Sequence, residues 1–219
     1  TWSLNPDDKD VTRYRCYVGS HQFELLDLNV YFDDGTEAAY KKKYKDAYIK
    51  NAKKIFNVAL GKNNYNPQDV FDVEVEIFNS LGCVDVTTKE ESYNKVYASE
   101  ALSKYGFDWV KFSKHLGFKT APEFFIASNL NYLKCGSDLF LKNWDSPKWK
   151  TYWLYILLKR IVRITRGWEG VIYEFKGDFE RGQEVINRSD AVSASLYMSV
   201  PFNTFLTDEY VRKYENPQA

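Results

Sequence analysis

Apolar positions along this chain recur mostly at three- and four-residue steps. Between Ala38 and Leu60, Tyr44, Tyr48, Ile55 and Ala59 fall near one helical face. Lysines cover the other face, and Gly61 follows. That spacing predicts a helix over 38–60. Asn66-Pro67 supplies a cap and a first-turn proline for a second helix. In it Val70, Val73, Ile77 and Leu81 step by three, four and four before Gly82 ends the run. Between Tyr93 and Leu116 the pattern predicts two short helices separated by Gly106, the second starting at Asp108. Phe124-Phe-Ile-Ala127 reads as a short extended segment ahead of a helix carrying Leu130, Leu133 and Leu139. Ser146-Pro147 opens a helix that runs to about Arg166, with Trp149, Tyr152, Trp153 and Ile156 on its apolar side. This helix is expected to be central and buried. Gly167 and Gly170 break the pattern, and further helices are expected around Val185 to Met198 and Thr207 to Tyr214.

Strand-like alternation is sparse. Asn5-Pro-Asp-Asp-Lys-Asp10 reads as a polar, turn-rich opening, and Asp33-Asp-Gly35 as another turn. No internal repeat, low-complexity tract or interdomain linker stands out. The expected fold is therefore mostly α, a strand-poor multi-helix bundle. Residues 1–17 form an opening segment and residues 18–219 a single helical domain. A chain that opens on Thr1 and closes on Pro-Gln-Ala219 reads as a fragment. Its longest apolar block, Tyr152-Trp-Leu-Tyr-Ile-Leu-Leu158, runs into Lys159 and Arg160. It falls short of the ~20 residues that a bilayer span requires, so it reads as buried helix.

Thirty basic side chains balance thirty acidic ones, and this neutrality argues against nucleic acid as a partner. The one basic concentration is Lys41, Lys42, Lys43, Lys45, Lys50, Lys53 and Lys54, interleaved with Tyr40, Tyr44 and Tyr48. Read functionally, it is a phosphate-tracking face with stacking rings; read structurally, it is the wet side of a helix. Neutrality elsewhere favours the second. Trp144, Trp149, Trp153 and Trp168 likewise read as core.

Soft ligands are scarce. His21 and His115 lack the partner histidine four residues away that aims two imidazoles at one metal. Cys16, Cys83 and Cys135 form no CxxC pair and read as buried reduced thiols, which favours a reducing compartment. Gly-x-Ser-x-Gly and the phosphate-cradling Gly-x-x-x-x-Gly-Lys loop are both absent. Asp33-Asp34 and Glu90-Glu91 read as solvated acids, and Asn187-Arg-Ser189 as a chance glycosylation triplet. No catalytic, cofactor-binding or metal-ligating residue is assigned.

Taken in order, several segments resemble the amino-terminal lobe of the neprilysin and endothelin-converting-enzyme family of zinc metallopeptidases. Leu28-Asn-Val-Tyr31 is similar to that family's segment preceding a helix, and Ala59-Leu-Gly61 to its helix ending. Val70 to Leu81 stands where the family has a helix with an acid in its middle, here Glu74 and Glu76. Tyr93-Asn-Lys95 followed by Phe107-Asp-Trp109 is the most recognisable pair. Trp149-Lys-Thr-Tyr152 resembles the Trp-x-x-Tyr helix. Phe175-x-Gly177 with Arg181-Gly-Gln-Glu184 resembles its phenylalanine-glycine and glycine-glutamine turn, and Phe205 to Tyr214 the segment near the lobe's end. After Glu184 the family carries an arginine- and tryptophan-rich run ending in a cysteine, where this chain has Val185-Ile-Asn-Arg-Ser-Asp190.

The resemblance implies a lobe that caps a catalytic lobe and encloses a peptide-sized chamber. The zinc ligands and the catalytic acid would then lie in the other lobe, so zinc enters only if that lobe follows. A protein partner is implied, either the missing catalytic lobe or the neighbours in an assembly. The alternative is a structural or scaffold protein, for which the Asn-, Lys-, Tyr- and Phe-rich composition suggests a large DNA virus particle.

Overall fold

The structure is a computed structural model describing residues 1–32, 35–82, 92–183, 189–199 and 202–215. It is mostly helical, with a small sheet at one side. Helix α1 spans Ala38–Leu60, as its spacing predicts, and buries Tyr44, Tyr48, Ala52, Ile55 and Phe56. Its lysine-rich face stays wet. Helix α2 spans Gln68–Asn79. The Asn66 side chain accepts from the Gln68 N–H at 3.2 Å and so starts it, and a short 3-10 turn, Ser80–Gly82, finishes it.

Further along, α3 (Ala98–Tyr105) and α4 (Trp109–His115) are the two short helices expected on either side of Gly106. That glycine takes φ 65°, the left-handed geometry that closes a helix without a Cβ clash. Asp108 caps α4 by accepting from the Lys111 N–H at 2.9 Å. A π-helical turn (Tyr132–Gly136) leads into α5 (Ser137–Asn143). Helix α6 spans Pro147–Ile164, with Pro147 in its first turn and Ser146 capping Trp149. It is followed by α7 (Glu169–Tyr173), a π-helical segment (Glu174–Phe179), α8 (Asp190–Ser199) and α9 (Asn203–Tyr214). The expected helix around Val185 thus begins at Asp190 among the described residues, and the last helix starts four residues before Thr207.

Helices α1, α2 and α6 pack as one layer whose core includes Tyr48, Ile55, Val70, Val73, Ile77, Trp149, Tyr152 and Tyr155. The segment before α1 lies across it, with Leu25, Val30 and Tyr31 buried and Leu28–Tyr31 forming a 3-10 turn. Gly177 sits in the π-helical segment, where a Cβ would meet the Tyr173 ring at 2.5 Å. The ring's close approach therefore requires glycine. Tyr173 uses that approach to donate to the Gln183 carbonyl at 2.9 Å.

The opening of the chain departs from the sequence expectation. Rather than a turn-rich lead-in, it folds as a hairpin of β1 (Trp2–Asp7) and β2 (Asp10–Val18). The sheet is completed by β3 (Asn94–Tyr97) and β4 (Phe124–Ala127), in the order β1-β2-β4-β3. Strand β4 runs parallel to β2, with Tyr17 opposite Ile126, and antiparallel to β3, with Asn94 opposite Ala127. Of the residues of this opening, Asp8 and Lys9 form the turn, and Asn5, Pro6, Asp7 and Asp10 belong to the strands. Asp7 accepts from the Lys9 N–H at 2.9 Å, the Tyr93 hydroxyl at 2.7 Å and Arg15 Nε at 3.0 Å. Those donors, the Lys9 amide foremost, hold the Asp7 carboxyl at about 2. On the sheet's inner face Val96, Phe125 and Ala127 meet Ala101 and Trp109 in a second core. Trp109 lies tilted against Phe125, 4.7 Å between ring centroids, and donates to the Pro122 carbonyl at 2.8 Å. The Phe107-Asp-Trp109 motif is thus a cap followed by a core anchor.

Two further readings are corrected. Helix α6 is buried along one face only: Trp149, Tyr152 and Tyr155 are buried, whereas Trp153 and Ile156 are half-buried and Leu157 is exposed. Trp153 lies against Trp144, itself exposed, at 5.0 Å between ring centroids. Trp153→Ala is accordingly expected to cost about 2 kcal/mol, below the cost of emptying a fully buried site. Urea denaturation checks it, and a loss of 4 kcal/mol or more would place that ring in the core. The second correction concerns the cysteines. Cys16 is a free, buried thiol, but Cys135 is disulfide-bonded, and Cys83 lies outside the described residues. An odd cysteine count reads as unpaired thiols, yet two of three can still pair. The inference to a reducing compartment thereby loses its basis. Asp33-Asp34, Glu90-Glu91 and Asn187 also lie outside the described residues.

Candidate functional site: a buried carboxylate and a lysine-rimmed cleft

Helix α2 carries a carboxylate on its apolar stripe. Glu74 lies four residues after Val70 and three before Ile77, so the helical period turns it inward with them, and it is fully buried. Tyr31 donates its hydroxyl to Glu74 Oε2. Glu74 Oε1 accepts no hydrogen bond among the described residues, and His21 Nε2 stands 3.9 Å from it. The same His21 nitrogen is 2.9 Å from the Tyr152 hydroxyl of α6. Three elements meet here: the segment before α1, helix α2 and helix α6. Nearby, Lys159 of α6 pairs with Glu24, which ties the same segment down a second time.

Burial pushes the Glu74 carboxyl above its ordinary value, partly offset by the His21 ring beside it and the hydrogen bond from Tyr31. Burial and then the Glu74 charge push the Tyr31, Tyr48 and Tyr152 hydroxyls upward, so they stay protonated, and of these Tyr31 donates to Glu74. With no exposed surface, Glu74 cannot reach a substrate. Its chemistry is positional: it fixes the segment 19–32 against the helical layer.

Beside this network an open cleft of about 630 Å³ lies between α1 and α2. Val30, Phe71 and Val75 supply apolar walls, and Lys41, Lys45 and Lys148 line the rim. These cations already have partners. Lys41 donates to the Phe32 carbonyl at 3.0 Å, Lys45 lies over the Phe71 ring at 4.8 Å, and Lys148 pairs with Glu76. Asp72 and Glu76 also line the cleft, Glu76 in its ion pair with Lys148.

The basic concentration on α1 resolves into its structural reading. Tyr44 and Tyr48 are buried, so their rings face the core and form no stacking platform. Tyr40 is exposed, but its hydroxyl donates to Asp27 Oδ2 at 2.9 Å. Lys42 pairs with Asp46, and Lys54 with Glu174. His115 ends α4 on the surface, far in sequence from His21. No group of three or more His, Cys, Asp or Glu side chains that could hold a metal is found among the described residues. No helix among them is long and apolar enough to cross a membrane. Sequence reading passed over His21 and Tyr152 as network members, because their pairing spans 131 residues. Glu74 left a signal, a lone charge on the apolar stripe of α2.

The fold and this geometry can be set beside known proteins. No curated protein sequence matches the chain. The inhibitor complex of Mycobacterium tuberculosis zinc metalloprotease Zmp1 superposes with a TM-score of 0.73 at 18% identity. That match covers 98% of this chain and 33% of Zmp1. The open state of the same enzyme gives 0.71 at 20% identity, covering 99% and 34%. The chain therefore spans about a third of the length of the solved structures it matches, and at these identities the likeness shows the fold. The amino-terminal model of peptidase family M13 matches residues 1–219, the whole sequence. The mostly helical fold is similar to the amino-terminal region of such a peptidase, and with the amino-terminal model matching throughout, the chain belongs to peptidase family M13.

Proposed function

We propose that this chain acts as a non-catalytic amino-terminal lobe of a neprilysin-like zinc metallopeptidase. It encloses peptide substrate, or docks onto a separate catalytic lobe, through shape and surface. The observation that carries this reading is the extent of the family match, which takes in the whole chain while the matched Zmp1 structures are about three times as long. The described residues do not fit a zinc site: a catalytic zinc takes three protein ligands, and no such His, Cys, Asp or Glu group is present among them. Zinc and the hydrolytic groups are accordingly assigned to the other lobe. This chain contributes a rigid wall, held by the Glu74 network, and no proton transfer.

The experiment is to determine the complete source reading frame and to express the part beyond codon 219. The lobe reading expects His-Glu-x-x-His in that part and a one-to-one complex between it and this chain in analytical ultracentrifugation. A frame without that motif, together with assembly of the chain into a multi-subunit shell, would replace the lobe reading with the scaffold one.

A further inference from the structure

Helix α6 has a second face that the helical layer does not use. Trp153, Leu157, Ile161 and Ile164 come round at steps of four, four and three, a row about 16 Å long. Leu157 is 56% exposed, Ile161 40% and Ile164 69%. Trp144 extends the row, because its exposed ring packs on Trp153, and Leu141 lies one turn before it. Isolated exposed leucines mean little, but a continuous row marks an interaction surface.

Charge adds the second observation. Helix α6 contains five cations, Lys148, Lys150, Lys159, Arg160 and Arg163, and no acid. Lys148 and Lys159 turn to Glu76 and Glu24. Lys150 pairs with Asp145 at 3.4 Å, and Arg160 and Arg163 are exposed along one border of the apolar row. We propose that this face docks an amphipathic helix of a protein partner, one whose own apolar row is bordered by carboxylates. A row of three- and four-residue steps fits the ridges of another helix, and apolar anchors beside complementary charge set both affinity and register. A lipid surface is the competing occupant; it would be drawn by the same cations, and the vesicle arm of the test tells the two apart. The inference goes beyond the lobe reading and does not depend on it.

The test uses the full 219-residue chain and a fluorescein-labelled synthetic helix with leucines at three- and four-residue spacing bordered by glutamates. A counterpart carries lysines in place of the glutamates, and phosphatidylserine vesicles form a third arm. Fluorescence anisotropy should show saturable binding of the acidic helix, at least tenfold tighter than the lysine version. Leu157→Glu and Arg160→Glu should each weaken it at least tenfold, with circular dichroism spectra unchanged because both positions are exposed. Absence of saturable binding, equal affinity for the two peptides, binding indifferent to both variants, or binding to vesicles alone would each overturn the proposal.

Discussion

Replacing Trp149 with alanine should lower the unfolding free energy by about 3–5 kcal/mol. The ring has no exposed surface and is wedged between Phe140 at 5.4 Å, edge to face, and Trp153 at 5.6 Å. Its Nε1 donates to Glu76 Oε2 at 2.9 Å, so truncation removes a large apolar volume and a charge-assisted hydrogen bond together. Trp149→Phe separates the two contributions, keeping most of the ring while losing the donor, and should cost about 1–2 kcal/mol. Urea denaturation reads both as a shift in midpoint at unchanged slope. A loss below 1 kcal/mol for the alanine variant would mean that α6 does not anchor the helical layer.

The second large effect is expected at Glu74. Glu74→Ala leaves the Tyr31 hydroxyl without its acceptor and a void between α2 and the segment before α1, and should cost about 3 kcal/mol. Glu74→Gln keeps the shape and a carbonyl for Tyr31, so its cost should be smaller and its pH dependence different. Because burial raises the folded Glu74 pKa above the ordinary 4.5, the folded state holds that proton more tightly than the unfolded chain does. The stability it contributes is fully present below pH 4.5 and is lost as pH rises through the raised folded value. The wild-type midpoint should therefore decline over that window relative to the Gln variant. Parallel curves for the two proteins would show that Glu74 does not titrate differently on folding.

These two residues also show what the sequence could disclose. Trp149 follows a Ser-Pro helix start on a clear apolar stripe, so its burial could be read directly. Neighbouring Trp153 could not be placed in the same way, because a helix apolar on several sides does not declare which side faces the core. Glu74 was visible as an acid in mid-helix, but its partners come from other segments that periodicity alone cannot align. The hairpin escaped for a different reason. Its alternating apolar residues Trp2, Leu4 and Tyr14 are 48%, 51% and 65% exposed. The burial that makes alternation a strand signal is therefore missing, while Pro6 and the Asp7-Asp8 pair read as loop although only Asp8 and Lys9 form the turn. Helix starts and stops were legible because their caps are local: Asn66, Asp108 and Ser146 each bond within three residues.

The central claim is that this lobe supplies a wall and no chemistry. The most direct test is zinc content after dialysis, measured together with chelator-sensitive peptidase activity of the isolated 219-residue chain. The lobe account predicts far less than one zinc per chain and no turnover above a chelated control. One zinc retained per chain with turnover that a chelator abolishes would contradict it.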